Sequence, residues 1–404
     1  MCVRSNLRCP ISLDLMKDPV TLSTGITYDR HSIETWLDAG NNFCPVTNQA
    51  LQNQDLIPNH TLRRLIQDWC VANRGSGIER TPTPTVPVNS AQIADILLEI
   101  SSGQTELVAI KKLRVLAKES NRNRKCISST NAPSVVAGVF CEHSLKAMRK
   151  LQPSVEICEE ALGILAMTVP LSDEPRRSLT SFNALRCITF ILRQGNPEGK
   201  SNAVLLLQEM ATDREYRERI GATDGLAEGL VQVLREPICP AATKASITTI
   251  FRTAASGKRI REKVVEAGAV PLLLEILPEA DRGICERALA ALNVLCNCAD
   301  GRAAAYEHAL TMPVIVKKIL RVSEMATEFA LSVLWTICRN YASESVLLEA
   351  LQVGAFDKLV VLVQLGCTGK TRERATDLLK LLSKYRGDWE CADTMGLMQV
   401  RRSF

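Results

Sequence analysis

Six side chains among the first 74 residues have the chemistry to hold a soft metal ion or to act as nucleophiles: Cys2, Cys9, Cys44, Cys70, His31 and His60. Structural zinc takes four ligands in a tetrahedron, commonly supplied as cysteine pairs two residues apart, so a two-zinc domain needs eight. No two of these cysteines have that spacing, and six ligands are too few. No metal site is expected, and the intervening loops must be held by hydrogen bonds and ion pairs. Cys9 has no His or basic residue placed to make it a nucleophile, so it should pack in the core. No His-Glu-x-x-His joins His31, His60, His143 or His308, and no Gly-x-Ser-x-Gly is present. Gly366-Cys367-Thr368-Gly369-Lys370-Thr371 has the letters of a phosphate loop. However, only two residues separate its glycines and its flanks are helical, so it reads as a helix-to-helix turn. Neither a cofactor nor a covalent catalytic residue is expected.

The elements that position these residues fall into two parts. The 404 residues exceed one ordinary core, and 46% hydrophobic with only 4% aromatic content means aliphatic cores, which favour helix on helix over an all-β fold. A formal charge of +5 is too dilute to imply nucleic acid. The longest apolar runs, such as Val270 to Leu274, are too short to cross a bilayer. Arg4 and Arg8 have no apolar run behind them, so no secretory signal is expected. The 15 cysteines are odd in number and scattered, which suits a reducing compartment. The cytoplasm is the expected location, with nuclear or peripheral membrane association left open.

Three prolines between Pro82 and Pro87, after Gly75-Ser76-Gly77, mark a flexible linker at 75–89. Before it, at 5–74, Pro19 to Leu22 and Ile26 to Tyr28 predict a hairpin. Asp29 predicts the cap of a helix to Ala39, closed by Gly40, with Ile33, Trp36 and Leu37 on one face. A loop is expected to run to Asn59, which caps a second helix with Leu62, Leu65, Ile66, Trp69 and Cys70 as its buried stripe. After the linker, at 90–390, Ala161, Ala203, Ala245, Ala288, Ala330 and Ala375 recur in helical stretches 42, 42, 43, 42 and 45 residues apart. Gly221-Ala222, Gly268-Ala269 and Gly354-Ala355 each precede an apolar helix, and an equivalent helix starts near Met312-Pro313. Such periods belong to armadillo and HEAT solenoids. About seven repeats are expected, with either an insertion in the first repeat or a slipped register before Ala161, and a tail at 391–404.

The run Cys9-Pro10-Ile11-Ser12-Leu13-Asp14-Leu15-Met16-Lys17-Asp18-Pro19-Val20, with Gly25 to Arg30, Trp36-Leu37, Cys44-Pro45-Val46-Thr47 and Leu56-Ile57-Pro58-Asn59, resembles a U-box. The agreement spans nearly all of Arg8 to Val71. A U-box followed by such repeats resembles the short form of the plant U-box–armadillo ubiquitin ligases. The implied fold is mainly α: a small zinc-free RING-like α+β domain followed by an armadillo-type α-solenoid. The implied activity is ubiquitin transfer without a covalent ligase intermediate, with a charged ubiquitin-conjugating enzyme and ubiquitin as partners. A protein substrate would be held in the armadillo groove, and self-association would be allowed. Conjugating-enzyme docking would fall to Ile11, Leu13, Trp36 and Pro45. Cys9, Tyr28, Ile33, Leu37, Leu56 and Ile57 would form the domain core. Asn48 stands where many members place an arginine that closes the charged conjugate, which implies weaker closing. Two readings stay open for Ile11, Leu13 and Pro45, as docking residues or loop anchors. Trp36 is expected to be exposed, since Ile33 and Leu37 already make an inner pair. The alternative function is a non-catalytic armadillo adaptor with a weak U-box. A nuclear-import receptor would need a Trp and Asn ladder on the inner helices, and only Trp335 falls there. Plant stress or defence signalling is the pathway that the resemblance suggests.

Overall fold

The computed structural model describes residues 5–51, 53–73, 88–103, 105–341, 344–367 and 369–400, with side chains in the last helix described to 385. Most of the expected linker lies outside these residues. Met1–Pro87 and Val88–Phe404 form two compact units. The second begins within the expected linker, because Asn89 caps its first helix in a reciprocal capping box: its side chain accepts from Gln92 N–H, and Gln92 accepts from Asn89 N–H.

In the first unit, a 3-10 turn at Ser5–Leu7 leads through a loop to β1 (Pro19–Thr21) and β2 (Thr27–Asp29). There follow α1 (Arg30–Asp38), β3 (Ile57–Pro58) and α2 (His60–Ala72). The sheet is antiparallel in the order β2-β1-β3. Val20 pairs with Tyr28 on the buried face, where Cys9, Met16, Ile33, Cys44, Ile66 and Cys70 close the core. β3 lies inside the stretch expected to be loop. Ile57, expected in the core, is 61% exposed, because it pairs with Thr21 and so shares the outer face of the sheet with Thr21 and Thr27. Leu37 and Leu56 are half-buried against the core, and Leu65 of the predicted stripe faces solvent.

Asp29 does precede α1, but it makes no side-chain cap. Its carboxylate instead accepts from the backbone N–H groups of Lys17 at 2.7 Å and Asp18 at 2.9 Å, while Arg30 pairs with Asp18 at 2.6 Å. Asn59 caps α2 by accepting from Leu62 N–H, and its amide nitrogen donates to Thr21 and Thr27. These polar ties join loop, hairpin and helices in a unit with few large apolar groups.

The second unit opens with α3 (Ser90–Ser101) and α4 (Glu106–Glu119). The first triplet is α5 (Asn121–Ser128), α6 (Ala132–Met148) and α7 (Ser154–Met167). The second is α8 (Asp173–Leu179), α9 (Phe182–Gln194) and α10 (Pro197–Met210). The third is α11 (Arg214–Ala222), α12 (Leu226–Arg235) and α13 (Pro240–Ser256). The chain continues with α14 (Lys258–Glu266), α15 (Ala269–Ile276) and α16 (Arg282–Leu295), then α17 (Ala299–Glu307), α18 (Thr311–Lys318) and α19 (Glu324–Asn340). The last triplet is α20 (Glu344–Gln352), α21 (Ala355–Gln364) and α22 (Gly369–Val400). The expected tail therefore opens inside α22. The longer spacing before Ala161 is an insertion shared between α6, whose 17 residues exceed those of every later second helix, and the connections at 129–131 and 149–153 that flank it.

Third helices stack on third helices from α4 to α22. All six in-register alanines are fully buried on them, where only a methyl group fits between neighbours and a larger side chain would overpack the core. The glycine opening α12 is Gly225, not Gly221. Gly225, Gly268 and Gly354 take left-handed φ values of 78°, 85° and 79° at equivalent corners. Gly221 lies within α11, where a β-carbon would collide with Ile260.

Candidate functional site

Two loops flank α1, and they are copies of one another. In the first, Leu13 N–H donates to Cys9 C=O at 2.8 Å and Cys9 N–H donates to Asp14 C=O at 2.8 Å. In the second, Asn48 N–H donates to Cys44 C=O at 2.8 Å and Cys44 N–H donates to Gln49 C=O at 2.9 Å. Leu13 and Asn48 occupy the same left-handed corner, at φ 61° and 56°. The two cysteines anchor these loops on consecutive residues: Cys9 Sγ accepts from Asp29 N–H at 3.3 Å, and Cys44 Sγ lies 3.0 Å from the Tyr28 hydroxyl.

These contacts do what metal ligation would otherwise do. Burial raises the Cys44 thiol, but hydrogen bonds from Thr24, Thr47 and Tyr28 outweigh it and hold its pKa at about 6. Burial also opposes ionisation of Cys9, yet the backbone N–H groups of Ser12, Asp29 and Ile11 bring it below its ordinary value. Burial and the Cys44 partner push Tyr28 up. Both cysteines are fully buried, so their sulfurs organise the loops and present no nucleophile. Among the described residues no group of three or more His, Cys, Asp or Glu side chains could hold a metal ion. Exhaustive chelation is accordingly expected to leave both melting temperature and activity unchanged. A melt that collapses on chelation and recovers with zinc would overturn this account of the loops.

Trp36 is half-buried rather than simply exposed. Its Nε1 donates to Phe43 C=O at 3.0 Å and its ring meets that of Phe43 edge-on at 5.4 Å, so it fastens α1 to the second loop. Ile11 packs on the same core, and Pro45 is half-buried. Leu13 is 65% exposed and Asn48 is exposed. Sequence reasoning missed Val46, which is 55% exposed while its N–H points to the Tyr28 hydroxyl at 3.3 Å. It also missed Phe43, which rests against Trp36. The signal was present in both: apolar side chains in an otherwise polar loop, beside Cys44-Pro45.

In the second unit, Ser154 Oγ lies 3.0 Å from His143 Nδ1, and His143 Nε2 lies 2.9 Å from Glu106 Oε2. This is the order of a hydrolytic triad. Ser154 is only 3% exposed and His143 is buried, which leaves a substrate no access. The chain instead pins the start of α7 to α6 and α4.

Two hydrogen-bonded loops around a central helix, followed by stacked three-helix repeats, define a U-box joined to an armadillo-type solenoid. The U-box domain family matches residues 3–75, and the plant U-box protein ARM repeat region matches residues 92–400. U-box domain-containing protein 21 of Arabidopsis thaliana is 37% identical over 401 residues, covering 96% of this chain and 90% of the relative. E3 ubiquitin-protein ligase PUB23 of the same plant is 36% identical over 393 residues, covering 95% and 93%. An engineered protein of known crystal structure is similar in fold, with a TM-score of 0.54 at 18% identity over 72% of this chain and 68% of its own. The chain belongs to the plant U-box proteins with an ARM repeat region.

Proposed function

We infer that this chain is a U-box ubiquitin-protein ligase that docks a ubiquitin-charged conjugating enzyme on the apolar rim of its two loops. Ubiquitin then passes to lysines of a protein held by the ARM repeats. The carrying observation is the set Ile11, Leu13, Trp36 and Pro45, with Phe43 and Val46, presented by paired loops on one small rigid frame. The frame offers no nucleophile. Its contribution is to hold thioester and acceptor together, replacing a bimolecular encounter by a near-intramolecular one. Similarity to proteins named as E3 ubiquitin-protein ligases supports the class. Asn48, in the left-handed corner of the second loop, offers only a short amide donor toward the docked conjugate.

Reaction with activating enzyme, a panel of conjugating enzymes and ubiquitin should give polyubiquitin on the protein itself. No product at any enzyme level would leave the adaptor reading. Leu13 gives a sharper test, because a leucine in the left-handed region is strained by about 1 to 2 kcal/mol. Leu13→Gly is expected to hold or raise the melting temperature while reducing conjugating-enzyme binding by about tenfold or more, as loss of an apolar anchor does. Unchanged binding would remove Leu13 from the docking surface.

The described helices include none long and apolar enough to cross a membrane. A cytoplasmic site of action, regulated turnover in stress or defence signalling, and self-association remain part of the proposal.

A further inference from the structure

The stacked third helices carry charge unevenly. On α4 all four cations have carboxylate partners, three of them across the stack: Lys111 with Glu156, Arg114 with Glu160, and Lys118 with Glu198, while Lys112 pairs with Glu99 of α3. From α13 onward Lys244 still pairs with Asp281 and Arg282 with Glu286, but other cations of these helices do not pair. Arg252 and Arg287 donate to the backbone carbonyls of Gln208 and Gly283. Neither they nor Arg339, Arg374, Lys380 and Lys384 make an ion pair among the described residues.

The last two third helices enclose a cleft of roughly 300 Å³ lined by Trp335, Arg339, Asp377, Lys380, Leu381 and Lys384. Trp335 is flanked by two guanidinium groups, with Arg339 at 4.9 Å and Arg374 at 5.5 Å from its ring centroid. Its indole N–H has no hydrogen-bond partner among the described residues. Arg374 is thus held on an aromatic platform. Asp377 is the one carboxylate lining the cleft, against three cations there and Arg374 beside it.

We propose that this α19–α22 cleft is a docking site for a carboxylate-rich segment of a protein partner. The guanidinium groups, pre-positioned by stacking, would donate to carboxylates with geometric specificity. The indole and Leu381 would take an apolar side chain within the same segment. Charge complementarity selects this occupant: an acidic segment neutralises cations that the fold leaves unpaired, whereas a basic segment would meet repulsion. The proposal deepens the reading that the ARM repeats hold substrate.

The test uses the full chain and fluorescence anisotropy with three probes: a labelled peptide alternating glutamate with glycine around one phenylalanine, its glutamine counterpart, and a polyuridylate oligonucleotide. The glutamate peptide should bind, weaken with added salt, and lose at least about tenfold in affinity on combining Arg339→Glu with Arg374→Glu. If that variant melts early, Lys380→Glu with Lys384→Glu, both at exposed positions, should give the same loss. Equal binding of the glutamine peptide, insensitivity to these changes, or tighter binding of polyuridylate would overturn the proposal. Autoubiquitination of the unaltered protein separates the two readings. A chain that binds the peptide but transfers no ubiquitin overturns the ligase reading alone, and the converse overturns only the cleft.

Discussion

Trp36→Ala is expected to abolish detectable ubiquitin transfer and also to destabilise the U-box by about 2 to 3 kcal/mol, the sum of a half-buried ring, an edge-on aromatic contact and one hydrogen bond. The ring seen from the sequence as an exposed anchor also ties α1 to Phe43 C=O, so surface-like tolerance is not expected. Trp36→Phe separates the two roles. It keeps the edge contact, loses only the donor, and should cost about 1 kcal/mol with transfer reduced rather than lost. Thermal melting and discharge of a charged conjugating enzyme on the same variants read both effects. Normal transfer by Trp36→Ala would remove the residue from the docking surface.

Gly301→Ala is expected to destabilise the second unit by about 3 kcal/mol, at the upper end of overpacking costs. Gly301 sits in α17 against the end of α16, where an added β-carbon would overlap the carbonyl oxygen of Leu295. It would also stand 2.7 Å from that carbonyl carbon and 3.3 Å from Cys298 Sγ. Backbone cannot swing aside as a side chain can. Gly257→Ala is the control, since nothing lies within 4 Å of its β-carbon position and its backbone is extended; it should change stability by no more than about 0.5 kcal/mol. Calorimetry should show the Gly301 effect while ubiquitin transfer to free lysine persists. An unshifted transition would show that the corner can relax.

The parts legible in the sequence were those written in periodic or local signals. The buried alanines marked the third helices because one small residue per repeat is required where they cross, and Asn59 announced α2 as a cap must. β3 was hidden because a two-residue strand containing Pro58 has no alternation to detect. Resemblance puts Ile57 in the core, but its face depends on pairing with Thr21, a partner distant in the chain. Asp29 stood where a cap belongs, yet the loop carrying Lys17 and Asp18 claimed its carboxylate. Ile11, Leu13, Trp36 and Pro45 are proposed for docking on resemblance, not on any periodic signal. Phe43 and Val46 emerged only once the loops were folded, and so did the stacking of Arg339 and Arg374 on Trp335.

Arg114 bears on how the repeat stack comes apart. From α4 it passes over Gly163 of α7, whose missing side chain leaves room for the guanidinium, and pairs with both Glu160 at 2.6 Å and Glu198 of α10 at 2.7 Å. A solenoid in which each repeat touches only its neighbours frays from either end like an open zipper. A bridge that skips one helix adds a second-neighbour coupling, so three layers at the amino end must open together. Amide hydrogen exchange should therefore be slower in α4 and α7 than in α20 and α21, and Gly163→Ala, which would push against the Arg114 guanidinium, should erase much of that asymmetry while leaving the carboxyl-terminal repeats as they were.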